Sequence, residues 1–282
     1  MKDFPRTMVE GISLPRILIG TNWVLGYSHT STSADNMIKK KYDNREVVAN
    51  LLEAYLEYNI DAIMAPIMEN SVLLDGIHLA EDRTGKKITI INTPIVDVSD
   101  SKEGREAARK TIEQGAKVGS DFCLIHHSSC EQLVSKLHGT MDRLPDYLDM
   151  IRQNGMIPGL SAHMPEIILY SDENEYDVQT YIQIYNCMGF LMQVEVESVS
   201  RIIWNAKKPV MTIKSMAAGR CSPYVGITYN FATIRESDMV TIGAHTVDEV
   251  HEDVEIAFAA IERRQPNIEG RSSPNKTKVL GG

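Results

Sequence analysis

Met239-Val-Thr-Ile-Gly243, followed by Thr246-Val-Asp-Glu249, decides the fold. The first five residues are a short apolar run of the kind that forms a strand buried on both faces. The next four are a capping box: the threonine hydroxyl and the glutamate three residues on can satisfy the free amides of a helix start. The helix it opens carries Val250, Val254, Ala257 and Phe258 on one face. One strand and one helix thus make a unit, and the same unit recurs upstream.

Seven further runs precede it at near-regular spacing: Arg16–Gly20, Ile60–Met64, Ile88–Asn92, Asp121–Ile125, Met156–Leu160, Phe190–Val194 and Val210–Lys214. Helix punctuation lies between them. Asp43-Asn44 can cap a helix through Val47, Leu51, Leu52, Tyr55 and Leu56, and Gly115, Gly155 and Gly189 stand where left-handed helix ends are expected. Eight strand–helix units predict an α/β fold, a single (βα)8 TIM barrel over residues 1–270. The first 14 residues are expected to cap the barrel floor, and residues 271–282 to form a flexible tail with little to bury. A doubly wound open sheet is the alternative, but no Gly-x-Gly-x-x-Gly follows the first strand.

Composition narrows the function. The 282 residues are 43% hydrophobic and 24% charged, with a formal net charge of −9 and no basic block longer than Lys39-Lys40-Lys41. That argues against nucleic acid as a partner, because a phosphate backbone demands clustered positive charge. No apolar run approaches the roughly 18 residues of a membrane span, and the opening Met-Lys-Asp-Phe-Pro-Arg has no signal-peptide core. Cys123, Cys130, Cys187 and Cys221 are scattered and suggest neither disulfides nor a zinc knuckle. The expectation is a cytoplasmic protein acting on a small molecule. Tyr176, Tyr181, Ile182, Ile184 and Tyr185 are expected to cover the barrel or to form a homo-oligomer interface.

In such barrels chemistry gathers at the carboxyl ends of the strands. In Leu191–Glu197 the alternation is strict, and a strand there sends Gln193, Glu195 and Glu197 into the lumen. Two lumenal glutamates about 7 Å apart are costly unless paired, protonated or metal-bound; solvated glutamates on a surface strand are the alternative. His126 and His163 end the fourth and fifth strands on inward faces, so His126, His163 and Glu195 form a candidate ligand set for a divalent metal such as Zn, Mn or Mg. Lys214 is expected to be either a counter-ion to the glutamates or a Schiff-base or proton-transfer group. Asn22, His29, Ser161, Gln193, Gly219, Arg220 and Gly243 are candidate binding residues, the glycines and Arg220 at the corner that commonly takes phosphate.

The ordered landmarks resemble the aldo-keto reductase superfamily over roughly residues 11–262. Gly11–Thr21 is similar to its opening strand, Asp121–His126 to the segment ending in its active-site histidine, and Asn154–Ser161 with Pro165-Glu166 to its fifth strand and helix. Ile213–Gly219 is similar to the seventh strand and loop, and Ile242-Gly243 with 246–254 to the closing unit. Gly20-Thr-Asn22 and Gly26-Tyr-Ser-His29 are similar to a divergent branch. The resemblance implies this barrel, with Gln193 against nicotinamide. It also implies a tetrad of Asp, Tyr, Lys and His, but here Met64 holds the aspartate position, the tyrosine position falls near Glu69, and Thr93 replaces the lysine. Only His126 remains, and Ala162 replaces an asparagine that contacts nicotinamide.

Three readings follow. The first is an isomerase, lyase or hydrolase acting on a small polar or phosphorylated metabolite by acid/base or metal-assisted chemistry. A glutamate would be the base, and His126 or Lys214 would polarise an oxygen. The second is a divergent NADP-dependent oxidoreductase with Glu69 in place of the tyrosine. The third is a ligand-binding barrel without catalysis.

Overall fold

The computed structural model describes residues 2–268, the Glu69 side chain excepted. The chain opens with an antiparallel hairpin, β1 (Arg6–Val9) and β2 (Ile12–Pro15), turned by Glu10 and Gly11, both at positive φ. That pair of left-handed residues is the tight hairpin turn whose twist matches the flanking strands, and glycine at its second position adopts it without strain.

Eight parallel strands then close a barrel: β3 (Ile17–Gly20), β4 (Ala62–Ala65), β5 (Thr89–Asn92), β6 (Phe122–Ile125), β9 (Ile157–Ala162), β10 (Thr180–Ile184), β11 (Val210–Ile213) and β12 (Met239–Ile242). A two-strand ribbon, β7 (Val134–Ser135) and β8 (Thr140–Met141), sits in the β6–β9 connection. Helices alternate with the strands. On the first side are α1 (Asn22–Leu25), α2 (Thr32–Lys41), α3 (Arg45–Leu56), α4 (Ser71–Thr84), α5 (Lys102–Lys117) and α6 (His127–Cys130). The ring is completed by α7 (Leu144–Gln153), α8 (Glu166–Glu173), α9 (Val196–Asn205), α10 (Pro223–Thr233) and α11 (Val247–Glu262).

The alternation of each strand divides the core in two. Leu18, Ala62, Met64, Ile91, Phe122, Leu124, Ile182, Met211 and Met239 point inward and pack with Val9 and Leu14 of the hairpin. The hairpin is therefore the floor of the barrel, as its position before the first strand predicts. Outward residues such as Ile19, Ile63, Ile90, Ile125 and Val240 pack against the helices in a much larger cluster. The capping signals act as read: Asn44 accepts from the Glu46 amide at 2.8 Å, and Thr246 accepts from the Glu249 amide at 3.1 Å.

Seven of the eight runs are barrel strands; the sixth is a correction. Residues 190–195 form a turn and loop, and the sixth strand is Thr180–Ile184. The chain leaves the barrel after Ile184 because buried Asn186 accepts from the Met188 and Phe190 amides and donates to the Phe190 carbonyl. Gly189 and Leu191 at positive φ complete the turn. Beyond it, Val196, Val199 and Ile203 fall three and four residues apart, and Val199 and Ile203 are buried, so the segment is the inner face of α9. Of the residues expected to cover the barrel or to form an interface, Tyr181, Ile182 and Ile184 are thus part of the barrel wall, with Tyr185 buried just after it. Gly115 is likewise a correction: α5 runs on to Lys117, with Gly115 pressed against the Asn92 side chain, and Gly119 makes the turn at φ +86. The segment 271–282 lies outside the described residues.

The inward side of β9 leaves no room at Gly159. A Cβ there would sit 2.5 Å from Leu124 Cγ and 2.8 Å from the Thr180 carbonyl oxygen, which belongs to the neighbouring strand and cannot rotate away. Gly159→Ala is expected to destabilise the fold by about 1–3 kcal/mol, read as a lower urea midpoint at unchanged m-value. An unchanged midpoint would show that the lumen is not close-packed at this level.

Candidate active site

Above the apolar filling the strand ends open into a cavity of about 960 Å³. Asn22, Tyr27 and His29 reach it from the segment after β3, Thr93 from β5, His126 and His127 from β6, and Ser161 and His163 from β9. Lys214, Gly219 and Arg220 reach it after β11, and Gly243 and His245 after β12.

His126 is the residue at which strand becomes helix. As the first inward position past β6 it caps α6, its Nδ1 accepting from the Ser128 amide at 3.4 Å and lying 2.6 Å from Ser128 Oγ. An Nδ1 that accepts a backbone N–H carries no proton, so the neutral ring bears its hydrogen on Nε2. Burial, aided by the charges of His127 and Lys214, pushes its pKa down to about 4. The result is a neutral imidazole N–H donor on the cavity wall.

Two more imidazoles stack beside it. The His127 ring lies 4.2 Å from that of His126 and 3.7 Å from that of His163, the latter pair within 17° of parallel. Glu131 holds this arrangement from outside the cavity. One carboxylate oxygen accepts from the His163 amide at 2.7 Å and the Met164 amide at 3.0 Å, fixing the turn after β9. Burial first, then His127, lowers the His163 pKa to about 3.

Lys214 faces the histidines across the cavity. Strand alternation would carry it to the outer face with Thr212, but its backbone is left-handed, φ +61, and this turns the side chain inward. Nζ lies 3.0 Å from His29 Nε2, and Asn22 Nδ2 approaches the same nitrogen at 3.3 Å. Among the described residues no carboxylate lies within ion-pair distance of Lys214 or Arg220. Burial alone lowers the Lys214 pKa to about 8. The Arg220 guanidinium lies over the Phe190 ring, 3.9 Å from its centroid, and donates to the Ala217 carbonyl. Phe190 is in turn held by Asn186, so the turn that ends the sixth strand also positions Arg220.

The glutamates expected in the lumen are elsewhere. Glu195 is the N-cap residue of α9 and Glu197 lies in its first turn; both are exposed, as is Gln193, and none lines the cavity. They follow the turn out of the barrel, so the counter-ion role for Lys214 has no partner. The ligand set His126, His163 and Glu195 does not assemble, and no group of three or more metal-capable side chains is found among the described residues. Glu69 ends a 3-10 turn at Ile67–Glu69; its side chain lies outside the described residues. His126, Lys214, Asn22, His29, Ser161, Gly219, Arg220 and Gly243 do converge on one cavity. Period two alone would place His127 on the outer face with Cys123 and Ile125, but the strand stops at Ile125 and His126 caps a helix, which brings His127 to the cavity as well.

Comparison with known proteins supports the fold. No protein-family profile matches the sequence, and no curated protein does. Among solved structures, a Pseudomonas aeruginosa chain classed with the aldo-keto reductases is similar at TM-score 0.67 and 15% identity, over 92% of this chain and 96% of that one. An aldo-keto reductase from Klebsiella pneumoniae in complex with NADPH is similar at TM-score 0.57 and 13% identity, over 96% and 98%. The Amycolatopsis orientalis BexX/CysO complex contains a chain similar at 0.54 and 13%, over 96% and 100%. At these identities the likeness is one of fold: a closed eight-stranded parallel α/β barrel.

The imidazoles make a pH prediction. His126 and His163 titrate near 4 and 3 in the folded protein against an ordinary 6.5, so on acidification the unfolded chain takes up protons first. Their contribution to stability is complete above pH 6.5 and is lost as pH falls through 4 towards 3. Urea midpoints are expected to fall over that interval more steeply for wild type than for His126→Gln/His163→Gln. Parallel curves would mean that the rings are solvated.

Proposed function

We propose that the protein is an enzyme of acid/base chemistry on a small anionic metabolite carrying an oxygen that becomes negative during reaction. The observation that carries this reading is the pair of cations, Lys214 and Arg220, facing one cavity without a carboxylate partner. Lys214 is half-buried and Arg220 is exposed at the mouth; the desolvated lysine is costly without a counter-charge, and an anionic ligand that reaches both cations offsets that cost. Arg220 is permanently charged and can bind a carboxylate or phosphate in a two-point contact. Ser222 and Pro223, which start α10, lie on the same wall and add the positive end of a helix dipole.

The chemical groups face that anion site. His126 offers a neutral Nε2–H, suited to an oxygen on which charge develops, because it donates without first having to lose a full charge to solvent. Lys214, near pKa 8, exchanges its proton close to neutral pH and can give or take one at the adjacent carbon or oxygen. An isomerase or a lyase needs these two operations, polarisation and proton movement.

A second reading, NADP-dependent oxidoreduction, is favoured by the likeness to the reductase in complex with NADPH. The cationic corner around Arg220 suits a dinucleotide's phosphates in charge, and the nicotinamide would supply the hydride. Met64 and Thr93 hold tetrad positions, however, with Met64 part of the apolar lumen filling, so His126 would be the remaining donor.

Thermal-shift and calorimetric titration with dihydroxyacetone phosphate, pyruvate and inorganic phosphate test the first reading. At least one of the three is expected to stabilise wild type, and Arg220→Ala and Lys214→Ala to weaken that binding about 10–100-fold, the worth of one charged hydrogen bond. No stabilisation by any of them, or binding indifferent to both substitutions, would sink the anion reading. Fluorescence titration with NADPH separates the second: no binding near millimolar cofactor removes it.

A further inference from the structure

We infer that Lys214 is a nucleophile that forms an imine with a substrate carbonyl, with His29 as the base that delivers its free amine. The inference rests on the anion reading above and goes beyond it, since a cationic pocket alone requires no covalent bond.

The geometry of His29 is the starting point. Its Nε2 faces two nitrogen donors, Lys214 Nζ at 3.0 Å and Asn22 Nδ2 at 3.3 Å. The amide of Asn22 can only donate from Nδ2, so the His29 nitrogen in contact with the lysine is the one without a proton. Burial, then the Lys214 charge, lower the His29 pKa and keep the ring neutral, with Asp35 opposing them. An unprotonated imidazole nitrogen at hydrogen-bond distance from an amine is the arrangement that activates a nucleophile.

The remaining groups divide the work. A lysine kept for charge alone would be redundant beside Arg220, which is permanently cationic and faces the same cavity. A lysine kept for structure would be expected to hold a carboxylate or a carbonyl, whereas Lys214 Nζ lies against the His29 imidazole. Its left-handed backbone spends conformational energy on turning the amine inward. Desolvation, by lowering its pKa to about 8, leaves roughly a tenth of the amine neutral at pH 7, against well under a thousandth for an ordinary lysine.

The step balances within the site. His29 Nε2 takes a proton from the Lys214 ammonium, and the freed amine attacks the carbonyl carbon while His126 Nε2–H supports the developing oxyanion. The adduct's nitrogen passes one proton to the alkoxide, which gives the neutral carbinolamine; its hydroxyl then leaves as water, with His29 returning the proton it took and the nitrogen lone pair forming the C–N double bond. One C–N double bond replaces one C–O double bond, no electrons are exchanged with any other reactant, and no net proton is consumed. The protonated imine then serves as an electron sink for proton loss or carbon–carbon cleavage at the neighbouring carbon.

Borohydride trapping tests this. Wild-type protein is incubated with dihydroxyacetone phosphate or pyruvate, in parallel, with and without sodium borohydride. Intact mass and peptide mapping then follow. The expected result is one adduct, heavier by the probe's mass less one oxygen atom, on the peptide containing Lys214 and only after reduction. His29→Ala is expected to slow adduct formation about 100-fold at saturating probe, the scale of a general base; an unchanged rate would remove His29 as the base. Binding of a probe that depends on Arg220, with Lys214 unlabelled, overturns the imine and leaves the anion reading standing. Failure of every probe to bind overturns both. Labelling spread over surface lysines to the same extent as Lys214 also overturns it, and that result is read on wild type without any variant.

Discussion

Closure of the barrel over a filled lumen is the constraint on which the site depends. Phe122, Leu124, Met211 and Met239 occupy the interior below the strand ends, and Val9 and Leu14 of the hairpin seal it from beneath. Polar side chains have no place at that level, so they are confined to the carboxyl rim, where one side of each meets protein and the other meets the cavity. The same apolar bed withdraws water from the imidazoles and from Lys214. Desolvation is the largest cause of the lowered pKa in His126, His163 and Lys214 alike. Packing at the floor thus sets protonation at the mouth.

Backbone geometry at the strand ends does the rest. Regular alternation would have delivered alternate residues to the cavity and nothing more. His126 stops being a strand residue and becomes a helix cap, which fixes its tautomer; Lys214 takes a left-handed conformation, which reverses the side to which it points. Asn186 ends β10 with a turn and thereby places Phe190 beneath Arg220. Each of these residues departs from its element's period at the place where the element meets the site. Such departures are where strain and function are expected together.

This also explains what could be read from sequence. The barrel was legible because seven strands announce themselves as apolar runs between helix caps, and the inward faces of β6 and β9 followed from period two. The sixth strand was missed because Thr180-Tyr-Ile-Gln-Ile184 is less uniformly aliphatic than Phe190–Val194. The alternating Gln193-Val-Glu-Val-Glu197 looks like a half-buried strand, yet Val196 begins a helix stripe, with Val199 and Ile203, spaced three and four residues apart. Helix and strand periods cannot be told apart over five residues. From that one error came the lumenal glutamates, the metal set and the counter-ion for Lys214. His126, Lys214 and Arg220 survived it because each is placed by a strand that was read correctly or by the loop that follows it. What no sequence period could show is His29, whose approach to Lys214 spans 185 positions.

The charge distribution has a consequence for which ligands such a site admits. The chain carries a net −9, yet the cavity is lined by Lys214, Arg220 and five imidazoles. Asp35, Glu249, Glu252 and Asp253 also line it, and Asp35 is already engaged by the Ser28 amide and hydroxyl at 2.8 and 2.6 Å. A protein whose overall field repels anions retains them only where local cations outweigh that field, and a low-dielectric cleft focuses the local term over a few ångströms. Salt screens the distant acidic surface more than charges a few ångströms apart within the cavity, because the Debye length at physiological ionic strength is about 8 Å. A small ligand whose negative charge sits at one end can place it against Arg220 and keep its reactive carbon near Lys214. A polyanion spread along its length would have to bring part of its charge past the carboxylates of the wall. The cavity therefore discriminates by where the charge lies on the ligand as well as by how much there is, and that favours a compact monoanion or dianion over an extended one.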